Sequence, residues 1–184
     1  MLDCDNYNFF GDFMLMLNEI KLDKALSKDR KIQLLYAQAI KVSHQVFISR
    51  FSNNKLKNYT YNPKIAAEEL GLDEELVGEL INDYISQILN THHQFDNLIN
   101  NILELHSIDK DMKMIELRNL AHKNLGVAKN LRIEDACIIL NDLMIQDDIE
   151  YLQDCVNALE ACAFKLNPNY AFSVLQVIEL KSSF

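Results

Sequence analysis

The chain has 184 residues, 49% hydrophobic and 24% charged, with a formal net charge of −9. That supplies enough apolar material for one core with an appendage and excludes a disordered chain, while the acidic balance argues against nucleic acid as a partner. Four glycines and two prolines in the whole chain leave few turns, so long helices follow.

In chain order, the apolar clusters of the first 20 residues (Phe9, Phe10, Phe13, Leu15, Leu17) predict a short helix. The longest unbroken apolar run, "FMLML" at 13–17, is far shorter than a membrane span. Asp3, Asp5 and Asp12 surround it where a secretory leader needs basic residues, so neither an anchor nor a signal peptide is expected. Ser27, followed by Asp29 and Arg30, caps a predicted helix over 28–51 whose Ile32, Leu35, Ala39, Val42 and Val46 make one apolar stripe. Residues 24–58 carry a net +7 and the remainder −16. Such a basic arm either packs back on its own acidic domain or docks another acidic protein.

The Asn-rich stretch "SNNKLKNYTYNP", 52–63, ends in proline and marks the best boundary. A short helix over 63–70 ends at Gly71, and Asp73 caps a long one over 74–105 with Leu76, Leu80, Tyr84, Ile88, Phe95, Ile99 and Ile102 inward. A helix over 110–131 follows the "HSIDKD" break, then one over 134–146 carrying Ala136, Ile139, Leu140 and Leu143. Asp147 and Asp148 cap the next, in which Ile149, Leu152, Val156, Leu159, Ala163 and Leu166 recur at spacings of three and four. Pro168 opens a last helix to about 180. The predicted fold is all-α, a four-helix up-down bundle over 61–166, with a helical extension over 1–60 and a C-terminal helix over 167–184.

The helix over 110–131 holds the residues that point to function. Leu117, Leu120, Ala121, Val127, Ala128 and Leu131 share its core side at about 100° per residue. His122 lies nearly opposite, with Arg118 one turn before it, Gly126 one turn after and Lys129 two turns after. A glycine inside a helix costs about 1 kcal/mol against alanine. An imidazole is neutral and nucleophilic near neutral pH, and a phosphoryl group accepted there brings about two negative charges that Arg118 and Lys129 are placed to offset. Gly126 then leaves room for another protein's active site to close over the ring. Ile115 and Leu125 point broadly the same way, either as part of a wider core contact or as an apolar rim for that partner.

These residues resemble the histidine-containing phosphotransfer (HPt) family. In "AHKNLGVAKNLRI", Ala121, His122, Gly126, Ala128, Asn130 and Leu131 stand where that family's motif has their counterparts. The stretch "YNPKIAAEELGLDEELVGELINDYISQ", 61–87, is similar to its lead-in and first bundle helices. The resemblance implies that His122 is the phosphoacceptor and Gly126 the clearance position for the partner, beside which Ile115 and Leu125 are the candidate docking residues. It implies a cytoplasmic phosphorelay carrier rather than an enzyme, without a cofactor of its own. Its partners would be response-regulator receiver domains, free or within a hybrid sensor kinase, with Mg²⁺ on the receiver. The chain departs from the family at Leu125, where a lysine is usual; Lys123 lies about 100° round the helix from His122 and substitutes imperfectly. Asn124, on the core side where a leucine is usual, requires a hydrogen bond to a neighbouring helix. Leu125 also motivates the alternative of a non-phosphorylated adaptor that binds receivers without transfer. No Walker motif or other glycine-rich loop is present, so a kinase is not expected.

The remaining candidates read as structural. His92 and Asp96 are one turn apart, but Ile99 occupies the next ligand position, which predicts a helix surface rather than a metal site. His106 falls at a helix end and complements the dipole, and His44 is given no role. Cys4, Cys137, Cys155 and Cys162 lack paired or metal spacing and read as small apolar residues in a reducing compartment.

Overall fold

A computed structural model describes residues 19–20, 23–49, 59–104 and 108–182, and every regular element among them is helical. The helix predicted in the first 20 residues, most of the boundary at 52–63 and His106 lie outside the described residues.

Short polar side chains decide where the helices begin. The Arg30 amide donates to Ser27 Oγ (3.3 Å) at the start of α1, Lys28–Ser49. Asn62 accepts from the amides of Lys64 and Ile65 ahead of α2, Pro63–Leu70, where Pro63 fills a position that needs no donor. Gly71 closes α2 in the left-handed region at φ 66°, and Leu72 N–H reaches back to Ala67 O (3.1 Å). Asp73 Oδ1 accepts from Leu76 N (2.8 Å) as α3, Glu74–Glu104, begins. Asp148 Oδ1 does the same for Tyr151 N (2.8 Å) at α6, Ile149–Leu166, and Pro168 opens α7, Pro168–Ser182. Between α4, Ile108–Asn130, and α5, Glu134–Ile145, no glycine is available. Arg132 adopts the left-handed conformation instead (φ 60°), its guanidinium held by Lys129 O (2.8 Å) and Glu69 (3.2 Å).

Four of the helices close a ring: α3 lies against α4 and α6, and α5 lies against the same two. α2 packs on α3, α7 packs on α3 and α6, and α1 runs along α6. That last contact changes the character of α6. The spacing of its apolar residues predicts a one-faced helix, yet it is buried without a break from Asp154 to Phe164. α1 covers the side that a bare four-helix ring would leave wet, so the described part of the basic arm shares the core, with Leu35, Ala39 and Val46 fully inside. Burying a helix all round normally demands an apolar surface all round. Here Asp154, Asn157 and Glu160 are buried as well, and each has interaction partners.

Leu76, expected inside, is 39% exposed although Val77 beside it on the first turn of α3 is fully buried, so the core stripe begins about 100° round the helix from Leu76; Leu80 is half-buried. Cys155 and Cys162 are buried cysteines outside any disulfide, and Cys137 is half-buried. No helix among the described residues is long and apolar enough to cross a membrane.

Candidate functional site

α4 presents its core side as the spacing predicts. Leu117, Ala121, Ala128 and Leu131 are buried, and Leu120 and Val127 half-buried. Asn124 fixes the rotation of this helix against α3. Fully buried, it accepts from Gln87 Nε2 (2.7 Å) and donates its own amide to Leu120 O (2.8 Å), so the required partner on a neighbouring helix is present.

With that rotation fixed, His122 is exposed, and its ring makes no hydrogen bond or ion pair with any described residue. Gly126 is exposed one turn on. A Cβ built there would meet nothing within 4 Å, so the chain's own packing does not require glycine at this position. The open space lies outside the protein, beside the imidazole.

The cations divide. Arg118 is turned to the link before α6, where its Nη2 stands 2.5 Å from Asp147 Oδ1, and its buried Nε has no partner. Lys123 and Lys129 are exposed and carry no ion pair among the described residues. Lys129 lies about 10 Å along the axis from His122. It stands near enough to the Cys137 thiol of α5 to oppose the burial that pushes that thiol up to about 11.

The apolar rim also divides. Ile115 is 55% exposed. Leu125, by contrast, is 4% exposed and belongs to the core, which corrects the expectation that it faces a partner. It sits about 60° round the helix from His122, far enough to fall beneath a neighbouring helix. The position where the HPt family carries a lysine is therefore inside this protein. Two exposed apolar residues near this face were not singled out from the sequence: Met112, three residues before Ile115, and Ile145, two residues before Asp147. The i,i+3 spacing of Met112 and Ile115 was a signal for the first; nothing local marked the second.

His92 is the clearest correction. Far from a helix surface, it is 4% exposed, between α3 and α6. Its Nε2 stands 2.9 Å from Asp96 Oδ2 and its Nδ1 3.6 Å from Glu160 Oε2. Asp96 Oδ1 also accepts from Gln153 Nε2 (3.0 Å). Burial alone would lower the pKa of the imidazole; the Glu160 charge and the Asp96 contact outweigh it and hold the pKa above its ordinary value. Two carboxylates draw the imidazole inside, and α6 supplies the second of them from a residue 68 positions away in the chain.

Comparison with protein-family models, with curated proteins and with solved structures finds no match to this chain.

Proposed function

We propose that the chain is a histidine phosphotransfer protein of a two-component phosphorelay, an HPt-like up-down four-helix bundle that carries a phosphoryl group on His122 between receiver-domain aspartates. The observation that carries the reading is the pairing of an unpartnered, exposed imidazole with open space at Gly126 on a helix whose rotation Asn124 fixes. The ring of α3 to α6, each joined to the next in sequence and in space, supports the bundle.

In the transfer, a ring nitrogen of neutral His122 attacks the phosphorus of an aspartyl phosphate. The N–P bond forms as the P–O bond to the aspartate breaks, the carboxylate leaves with the electron pair, and the ring gives up its other N–H proton to solvent. Chemistry of this kind is mostly positioning and charge stabilisation, which the receiver with its Mg²⁺ would supply. This chain's part is to hold the ring outward, keep the backbone beside it bare, and offer Ile115 and Met112 as docking surface.

The second reading, an adaptor that docks receivers without accepting phosphate, draws on the Arg118–Asp147 pair and on the burial of Leu125. Together they leave Lys123 and Lys129 as the uncommitted cations on this helix beyond Ile115. Incubation with phosphorylated receiver domains separates the two. Acid-labile, base-stable label on the wild-type chain, absent from His122→Gln, is the expected result. Binding of receivers with no label would select the adaptor.

A further inference from the structure

A cavity of about 290 Å³ lies between α1, residues 59–61, the start of α5 and the end of α6. Its volume equals that of roughly ten waters at about 30 Å³ each, at the lower end of the range for small-molecule pockets. It is reached past Tyr36 and Ile40, which are half-exposed, and ends on Ser43, Asp135 and Cys162, which are buried. Leu131, whose carbonyl borders this region through Tyr61, is about 13 Å along α4 from His122, so the cavity is a separate feature and stands whether or not His122 carries phosphate.

The polar groups of the cavity are unevenly satisfied. Lys165, with a side chain 17% exposed, donates from Nζ to Ser43 Oγ (2.8 Å) and Asp135 Oδ2 (3.1 Å). An ammonium has three N–H donors, so one is left over. Burial would lower the Lys165 pKa, but the charge of Asp135 and its hydrogen bond hold it above its ordinary value, and the group stays charged. Tyr36 and His44 also line the cavity and make no hydrogen bond with any described residue. The other two tyrosines differ. Tyr59 donates to Arg132 O (3.0 Å) and accepts from Glu134 N (3.3 Å), and Tyr61 donates to Leu131 O (3.1 Å). Their hydroxyls are tied to the end of α4, which fixes their rings as cavity walls.

We propose that this cavity is a binding site for a small aromatic monocarboxylate. The spare Lys165 N–H and the Tyr36 hydroxyl are donors without an acceptor among the described residues, which fits a carboxylate; the fixed tyrosine rings with Ile40 and Leu166 fit a planar apolar body. Asp135 at the floor already neutralises most of the Lys165 charge, so a singly charged carboxylate is favoured over phosphate esters and dicarboxylates, whose further negative charge would go unmet. The site binds rather than reacts: burial pushes the Cys162 thiol far above its usual range, so no thiolate is available for covalent chemistry.

The test is a titration of the full chain with benzoate, with benzamide and acetate in parallel, followed by amide chemical shifts. Benzoate is expected to give saturable shifts at residues 36–44 and 162–166, with benzamide and acetate each weaker by about tenfold or more. Ile40→Trp, which fills the mouth, should abolish binding, and Tyr36→Phe should weaken it a few-fold. Lys165→Met alone would strand buried Asp135, so the charge is removed with the double variant Lys165→Met/Asp135→Asn; it should lose the preference for benzoate over benzamide. Absence of saturable shifts with benzoate, equal affinity for benzamide, or shifts that persist in folded Ile40→Trp would overturn the proposal.

Discussion

His122 and His92 sit on adjacent helices of one ring and show what surroundings do to the same side chain. On α4, the ring of His122 faces outward with no partner among the described residues. On α3, the ring of His92 is enclosed and held between Asp96 and Glu160. One histidine is available to a visitor and contributes little to the fold; the other is closed to visitors and links two helices of the core. On the proposed function, reactivity and stability fall on different residues, so each can be perturbed without the other.

Exchanging the two lesions gives the largest effects. His122→Gln should abolish receiver-dependent label while moving the urea midpoint by less than about 0.5 kcal/mol of stability, as expected for an exposed site. His92→Leu should do the reverse, retaining label and losing about 3 kcal/mol at pH 6, because buried Glu160 and half-buried Asp96 both lose the imidazolium that faces them. If His92→Leu were neutral, the clasp would be incidental and the contrast between the two histidines would collapse.

The second consequence is a pH profile. The His92 pKa is held above its ordinary 6.5, so its contribution to stability is fully present below about pH 6.5 and is lost as pH rises through the raised value. For Asp96, burial opposes ionisation, but the His92 contact and Gln153 prevail and bring its pKa below the ordinary 3.8. Its contribution is present above about pH 4 and lost as pH falls through the lowered value. Urea unfolding from pH 3 to 9 should therefore show a plateau between about pH 4 and 6.5. In His92→Gln the decline on the alkaline side should flatten. An unchanged alkaline decline would assign it to other groups.

The two histidines also mark how far the sequence is legible. Several helix boundaries were readable because they depend on neighbours in the chain: Ser27, Pro63, Asp73, Asp148 and Pro168 at starts and Gly71 at an end all act within a few residues. The outward direction of His122 was readable for the same reason, since helical spacing alone opposes it to Leu117 and Leu131. His92 was not. At i,i+4 from Asp96 it resembles any surface pair, and only the approach of α6 with Glu160 shows otherwise. Leu125 failed likewise, because an angle of about 60° from an exposed residue is surface or core according to where the next helix lies. The unbroken burial of α6 depends on α1, whose own stripe was legible but whose docking place was not.

Tyr84 sharpens the contrast from the buried side. It shares α3 with His92, but its hydroxyl is buried with no hydrogen-bond partner among the described residues, whereas the His92 nitrogens stand within ion-pair distance of two carboxylates. An unmet buried hydroxyl costs about 1–3 kcal/mol, and replacing it with hydrogen removes that cost apart from a small void. Tyr84→Phe should accordingly stabilise the fold by about 1 kcal/mol in urea unfolding, against the loss expected for His92→Leu. Destabilisation by Tyr84→Phe would mean that the hydroxyl has a partner, such as an ordered water.

The smallest effect decides most about the exposed side. Nothing of the protein lies within 4 Å of a Cβ added at Gly126, so Gly126→Ala should gain about 1 kcal/mol from helix propensity alone. A gain of that size would mean that the glycine is a loss to the fold at its present position. If that loss serves access to His122, the methyl group should slow labelling by phosphorylated receivers by roughly tenfold while leaving the folded chain more stable. Opposite signs in the two measurements are the signature of a position shaped by a partner. Greater stability with unaltered labelling would leave Gly126 without a role, and the case for transfer would then rest on the imidazole alone.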